Sequence, residues 1–291
     1  MSKFNNMDKG ALTSSDMRTV KYRMLYFGMF SVLLVWCAIV ILPIIWIVLS
    51  GFKEPNEMYS IPTKLFPDEI RLSKLADVWN KMKFYRYYFN TFIMAGGCVL
   101  ADLIVSGIGG YIFSRVKPKG YKILYSVCFT LMLLPNAGGT VPLYMIFKRL
   151  NVLNTYIPMY LMSMVNIFHI FLFKNFFDGI SMSLVEAARV DGATNLRVFF
   201  KIILPLSTPI FITVAVLSFN AQMSTFLWPY LTIRDNTKTV LGVYMYQLKS
   251  AGYTVDYQMI ALLFSMLPQI IIFALFQKKI IGGINVGGVK G

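Results

Sequence analysis

The chain has 291 residues, 57% of them hydrophobic and only 14% charged, with a mean hydropathy of +0.62. A soluble domain carries about a quarter charged residues, so this balance excludes an ordinary soluble protein and a disordered one. The net charge of +15 would suggest nucleic acid in a soluble protein, but long apolar runs separate the basic residues, and the accumulation of Lys and Arg in cytoplasmic loops accounts for them.

About 20 apolar residues cross a bilayer, and the sequence offers six such stretches. Residues 1–22 are polar and basic and read as a cytoplasmic tail. The first span, 23–50, is far longer than the apolar part of a signal peptide (about 7–15 residues) and is expected to be retained. Cys37 lies in it; Cys98 and Cys128 lie in later spans, and with no CxxC spacing all three read as small hydrophobes. The loop 51–88 contains Pro55, Pro62 and Pro67, which favour extended or turn structure. Within it an amphipathic helix is expected over Ser73–Met82, with Leu72, Leu75, Ala76 and Trp79 on one face. That loop could receive a partner or form a packed outer cap.

The second span is 89–114, with Asp102 inside it. The third, 121–147, is interrupted by Pro135 and the Gly138-Gly139 pair, and its second half from Ala137 to Phe147 reads as a separate helix. The fourth, 156–176, contains His169; the fifth is 205–228 and the sixth 257–277. This is an all-α membrane protein with six transmembrane helices, residues 23–291 forming the membrane domain. With the N-terminus inside, the inner segments hold 16 Lys and Arg and the outer ones 12. The loop 115–122, with Arg115, Lys117, Lys119 and Lys122 and no acid, is the clearest inside signal; the seven basic residues of 51–88 oppose it.

An acid within a span is a functional candidate, and equally a partner for a neighbouring helix. Asp102 and His169 are therefore candidates for the substrate path, with a bundle-internal hydrogen bond as the plainer role. Asn220, Gln222, Ser224 and Thr225 form a polar cluster late in the fifth span and should face the bundle or the path rather than lipid. Trp228 and Tyr230 follow and could offer aromatic faces. No metal centre or catalytic constellation is expected.

The segment 183–205 is the most informative. Ser183–Asp191 suits a short helix, Gly192 stands where a left-handed C-terminal cap belongs, and Thr194 or Asn195 can cap a second helix. In that helix Leu196, Phe199, Phe200 and Ile203 fall at i, i+3, i+4 and i+7, an apolar stripe, and Pro205 is expected to open the fifth span. Such an elbow is either a docking knob for a soluble partner or a connector lying on the membrane surface.

The same segment resembles the EAA loop of permeases of binding-protein-dependent ABC importers. The pattern is Glu186-Ala187-Ala188, Gly192 four residues on, then Ile202 and Leu204-Pro205, with Asp191 also agreeing. Further blocks resemble the carbohydrate-type members, similar to the inner permease of maltose-type importers. They are Tyr88 to Thr91, Gly110 to Arg115, Val141 to Tyr144, Leu153 to Thr155, Phe226 to Pro229, Gln277, and the tail Gly287 to Gly291. Where such members carry a Trp-Asn pair before the Phe-x-Trp-Pro block, this chain has Met223 and Ser224.

The resemblance implies six spans with both termini cytoplasmic. It also implies an EAA loop that couples to an ATPase through Glu186, Ala187, Ala188, Asp191 and Gly192. Phe199, Phe200, Ile202, Leu204 and Pro205 would anchor that loop. Implied partners are a second permease, two cytoplasmic ATPase subunits, an external solute-binding protein and a sugar, with no nucleic acid. No cofactor is expected on this chain: it has no G-x-x-x-x-G-K-[ST] sequence, so ATP and Mg would belong to the partner ATPase. The alternatives are a permease of the same kind for a non-sugar solute and an ion-coupled secondary transporter. The latter would typically need more buried ionisable groups than Asp102 and His169.

Overall fold

The computed structural model describes residues 20–62, 64–134 and 139–285, and among these it is helical with no strand. In chain order the helices are α1 (Val20–Phe52), α2 (Pro55–Met58), α3 (Ser73–Lys81), α4 (Phe84–Tyr111) and α5 (Tyr121–Leu133). Then come α6 (Thr140–Arg149), α7 (Ile157–Ser163), α8 (Ile167–Asp178), α9 (Met182–Val190) and α10 (Asn195–Val198). The last five are α11 (Leu204–Leu206), α12 (Thr208–Met223), α13 (Leu227–Thr232), α14 (Leu241–Gln247) and α15 (Val255–Asn285). Short π-helical turns, Ile112–Val116 and Phe199–Ile203, extend α4 and join α10 to α11.

Three stretches are single helices long and apolar enough to cross a membrane: Tyr22–Phe52, Phe84–Val116 and Val255–Lys278. Two further stretches are long and apolar enough only as bent pairs, α7 with α8 bent by 46° and the helix over Asn195–Leu206 with α12 bent by 80°. The remaining expected span, the third (121–147), is divided. Its first part, α5, has 13 residues, about 20 Å at 1.5 Å per residue, short of the roughly 30 Å hydrocarbon core. Its second part is the separate helix α6, as expected; Pro135, Ala137 and Gly138 lie outside the described residues, as do most of the 1–22 tail and the Gly287–Gly291 block.

The chain divides into two compact units, one up to Arg71 and one from Leu72 onward. In the first, α1 exposes its apolar side chains along almost its whole length, as a lipid-facing helix does. After it, Lys53 Nζ donates to the Lys64 carbonyl at 2.6 Å, and Arg71 pairs with Glu69 at 2.8 Å.

The second unit is built around α4, which packs along α8 and α12, while α12 packs along α15. Gly110 is where α4 meets α8: a Cβ there would lie 2.5 Å from the Phe173 Cβ and 2.9 Å from the Lys174 backbone nitrogen. Backbone cannot move aside as a side chain can, so Gly110→Ala should destabilise the fold by about 1–3 kcal/mol, and Gly110→Leu should abolish the folded monodisperse peak in detergent size-exclusion chromatography.

The amphipathic helix of the 51–88 loop is present as α3, with its face rotated from expectation. Lys74 and Val78 are buried, as is Met82 just beyond, and Leu75 and Trp79 pack beside them, whereas Leu72 and Ala76 are exposed. Trp79 sets the rotation: it stacks on Phe84 at 5.9 Å and meets Phe264 edge-on at 5.3 Å. Lys74 reaches Asp256, in the first turn of α15, at 2.6 Å with both side chains buried.

Several blocks that looked distinctive in sequence are clamps between loops. Asn90 donates to the carbonyls of Thr237 (2.8 Å) and Thr239 (2.9 Å), and Thr91 Oγ1 accepts from the Leu241 amide at 2.8 Å. Asn154, at φ 62°, accepts from the amides of Arg234 and Asp235 and donates its own amide to the Thr232 carbonyl at 2.7 Å. Asn tolerates this left-handed conformation better than most side chains.

Candidate functional site

Two features carry chemistry: an exposed elbow and a cavity within the helices. The elbow begins with α9, whose one fully buried residue, Val185, belongs to a cluster with Phe177, Val198, Phe199 and Ile203, with Ala188 packed at its edge. Its other side faces outward. Glu186 and Ala187 are exposed, Ala188 is half-buried, and Asp191 and Gly192 are exposed.

The end of α9 is a Schellman cap. The Ala193 amide donates to the Ala188 carbonyl at 2.9 Å, the Gly192 amide to the Arg189 carbonyl at 3.0 Å, and Gly192 sits at φ 75°. Thr194 then caps α10, its Oγ1 accepting from the Arg197 amide at 3.4 Å. The expected helix–turn–helix is therefore present, and the turn requires glycine for conformational reasons, since a Cβ at 192 would meet nothing within 4 Å.

The anchoring face differs from the expected stripe. Phe199 and Ile203 are buried as expected, but Phe200 and Leu196 are exposed, at 57% and 68% of their surface. The buried positions are Val198, Phe199 and Ile203, and the reason is the π-helical turn over Phe199–Ile203. Its i→i+5 bonding puts Val198 and Ile203, five residues apart, on one side, where a 3.6-residue period does not. Ile202 and Leu204 are half-buried and Pro205 is exposed. Pro205 does not open the fifth span: it lies in α11, still in line with the elbow, and the 80° bend comes at Ser207 before α12, whose own first turn holds Pro209.

The elbow is gripped by the end of α4, a function not read from the sequence. The Tyr111 hydroxyl donates to the Asn195 carbonyl at 3.2 Å, and Ser114 Oγ donates to Asp178 Oδ1 at 2.6 Å. The Arg115 guanidinium donates to the carbonyls of Phe177, in the last turn of α8, and Ile180, in the turn leading into α9. The signal was present in the Gly110 to Arg115 block, but nothing in one sequence pairs it with residues 177–195. Arg115→Ala should therefore leave α9 formed and loosely held: amide hydrogen exchange over 180–193 rises, while exchange in α12 does not change.

The cavity has a volume of about 450 Å³ and lies where α7 breaks into α8, beside α4 and α12. Asp102, His169, Gln222 and Trp228 all line it, so the structure brings together four of the six substrate-path candidates. Asp102 and His169 are a pair: His169 Nδ1 lies 2.7 Å from Asp102 Oδ2, and Ser106 Oγ donates to Asp102 Oδ1 at 2.7 Å. Asn166 caps α8 at the break, its Oδ1 accepting from the His169 amide at 3.2 Å.

Asn220 and Ser224 do not reach this cavity. On α12 the residues that face it are Ser218, Ala221 and Gln222, at helical spacing, with Thr225 just beyond the helix end. Asn220 and Ser224, four apart, share a different side. Ser224 accepts from Gln269 at 3.3 Å in a separate pocket of about 460 Å³ beside Phe226 and Tyr246. Tyr230 also lies away from the cavity, packed edge-on to Tyr246 at 5.4 Å. Among the described residues no group of three His, Cys, Asp or Glu could hold a metal ion.

Residues 104–285, more than half of the chain, match the model of the binding-protein-dependent transport system inner membrane component family. The chain belongs to this family. The permease is 28% identical to a diacetylchitobiose uptake system permease of Streptomyces coelicolor over 264 residues, covering 88% of this chain and 86% of that one. It is 28% identical to an arabinooligosaccharides transport system permease of Bacillus subtilis, covering 92% and 94%. It is 31% identical to a probable ABC transporter permease of the same organism, covering 86% and 83%.

Among solved structures, its fold matches a chain of a bacterial ABC transporter involved in the import of the acidic polysaccharide alginate, with a TM-score of 0.78 at 24% identity over 89% of this chain and 98% of that one. The permease is thus a multi-pass membrane protein with the helical fold of these importers, as the sequence resemblance implied, and an ion-coupled secondary transporter is not supported.

Proposed function

We propose that this permease is one half of the translocation path of an ATP-driven importer that moves a sugar or oligosaccharide across the cytoplasmic membrane of a bacterium by alternating access. The observation that carries the coupling half of this reading is the exposed elbow. A rigid knob, capped by Gly192 and fastened from below by Val185 and Phe199, presents Glu186, Ala187 and Asp191 outward. Small residues let a partner surface approach the backbone, and Glu186 can make charge-assisted hydrogen bonds.

In this reading the elbow lies on the cytoplasmic side with both termini. It docks in a groove of an ATPase subunit that binds the ATP and Mg. A second permease completes the path, and a loaded solute-binding protein delivers the sugar from outside. ATPase closure pushes the elbow, and the helices around the cavity reorient. The sugar assignment is supported by the names of the relatives, which transport diacetylchitobiose, arabinooligosaccharides and galactooligosaccharides. It is also supported by a cavity whose polar groups suit hydroxyl-rich ligands, with Trp228 in its wall.

The test is ATP hydrolysis by the full complex in proteoliposomes. A sugar-loaded binding protein is expected to stimulate hydrolysis. Stimulation by amino acids or peptides, and by no saccharide, would reject the sugar assignment and leave the importer assignment standing.

A further inference from the structure

We propose that His169 contacts the transported sugar directly, through Nε2, and that Asp102 is the residue that positions it; this rests on the sugar-importer reading above. His169 lines the cavity and is only 6% exposed, so its ring is fixed in the wall rather than swinging in solvent. One ring nitrogen is occupied: Nδ1 faces Asp102 Oδ2 at 2.7 Å. The other, Nε2, has no hydrogen-bond partner among the described residues and is not among their sealed-off, unpaired buried polar atoms.

The carboxylate is itself held at both oxygens, by His169 and by Ser106. With Nδ1 engaged by the carboxylate, Nε2 is the one ring nitrogen left to exchange a hydrogen bond with a ligand. A sugar hydroxyl, which both donates and accepts, suits it. Asn166 holds the backbone of the same residue, so ring and main chain are both preset at the break between α7 and α8.

The chemistry of the wall selects the sugar class. The described lining contains no Lys or Arg, and its one acid is Asp102. A uronate would meet that carboxylate with no Lys or Arg of the described lining beside it. The sugar unit that His169 contacts is therefore an uncharged one.

His169 is the chain's one histidine, which makes chemical labelling decisive. In the wild-type complex, diethylpyrocarbonate should acylate His169, read by mass spectrometry of this subunit. The probes are diacetylchitobiose, arabinotriose, galactotriose and digalacturonate, each first assayed for uptake. The neutral sugar that is transported should slow labelling by about fivefold or more. Unchanged labelling with a transported neutral sugar, or no labelling at all, overturns the proposal.

Two variants separate ligand contact from mere packing. His169→Asn keeps a donor near the Nδ1 position facing Asp102 and removes Nε2; it should raise the KM for uptake about tenfold, the scale of one lost hydrogen bond. His169→Gln reaches the Nε2 position and should stay within about threefold of wild type. Asp102→Asn should raise KM with little change in maximal rate. The reverse order, with Asn like wild type and Gln impaired, shows a structural partner of Asp102 and overturns the proposal. Uptake of digalacturonate alone overturns the uncharged class, and uptake of none of the four by a complex that hydrolyses ATP with another solute overturns the sugar reading beneath it.

Discussion

The double variant Glu186→Ala with Gly192→Pro is expected to abolish uptake while leaving the permease inserted and folded. Gly192 sits at φ 75° and donates its amide to the Arg189 carbonyl. Proline fixes φ near −65° and has no N–H, so it removes one bond of the Schellman cap and forces the chain out of the turn. Both positions are exposed, and the buried fastening through Val185, Val198, Phe199 and Ile203 is untouched. The damage is therefore confined to the knob. Uptake should drop by well over about tenfold, the scale of a lost coupling free energy, while detergent size-exclusion profiles match wild type. Normal uptake in the double variant would remove the elbow from the mechanism. Glu186→Ala alone leaves the turn intact and should give a partial loss, which distinguishes the contact from the shape.

The second large effect is expected far from the elbow. Lys74→Ala should destabilise the permease by about 3–5 kcal/mol, because it leaves Asp256 charged and buried without its partner. The pair, to Asp256 Oδ2, is short, 2.6 Å, with side chains only 9% and 3% exposed, and the second carboxylate oxygen, Oδ1, has no hydrogen-bond partner among the described residues. The position of Asp256 in the first turn of α15 helps the carboxylate, since the amides of that turn carry partial positive charge. The joint replacement Lys74→Met with Asp256→Leu should recover most of the loss, because breaking a buried pair costs far more than replacing both members with apolar residues. Thermal unfolding in detergent, followed by tryptophan fluorescence, measures both. A Lys74→Ala variant as stable as wild type would show that α3 is held by its Trp79 packing alone.

What was legible in the sequence follows from what a single chain's local pattern encodes. Long apolar runs and a capped short helix are local properties, so α1, α4, α15 and the Gly192 turn were readable residue by residue. The Phe200 error has a physical source: apolar spacing presumes a constant 3.6-residue period, and the π-helical turn at Phe199–Ile203 changes it. The misplaced opening of the fifth span has another, since two prolines, Pro205 and Pro209, each satisfy the helix-start rule and only the bend at Ser207 decides between them. The candidate site was half legible. Asp102 and His169 stand out singly in the sequence, because each is polar in an apolar run. Their pairing, 67 residues apart, depends on how α4 meets α8 at Gly110 and Phe173, which no periodicity carries. The same holds for the grip of Tyr111, Ser114 and Arg115 on the elbow.

The claim on which the account turns is that α9 is the surface an ATPase subunit receives. Placing the photoreactive p-benzoylphenylalanine at Ala187, in cells expressing the whole transporter, tests it in one step. Ala187 is exposed and central on the outward side of α9, and the probe reacts only with what lies within a few ångströms. A single major adduct is expected, its mass and peptides containing the ATPase subunit. An adduct confined to lipid, or to this chain itself, in a complex that still transports, would contradict it.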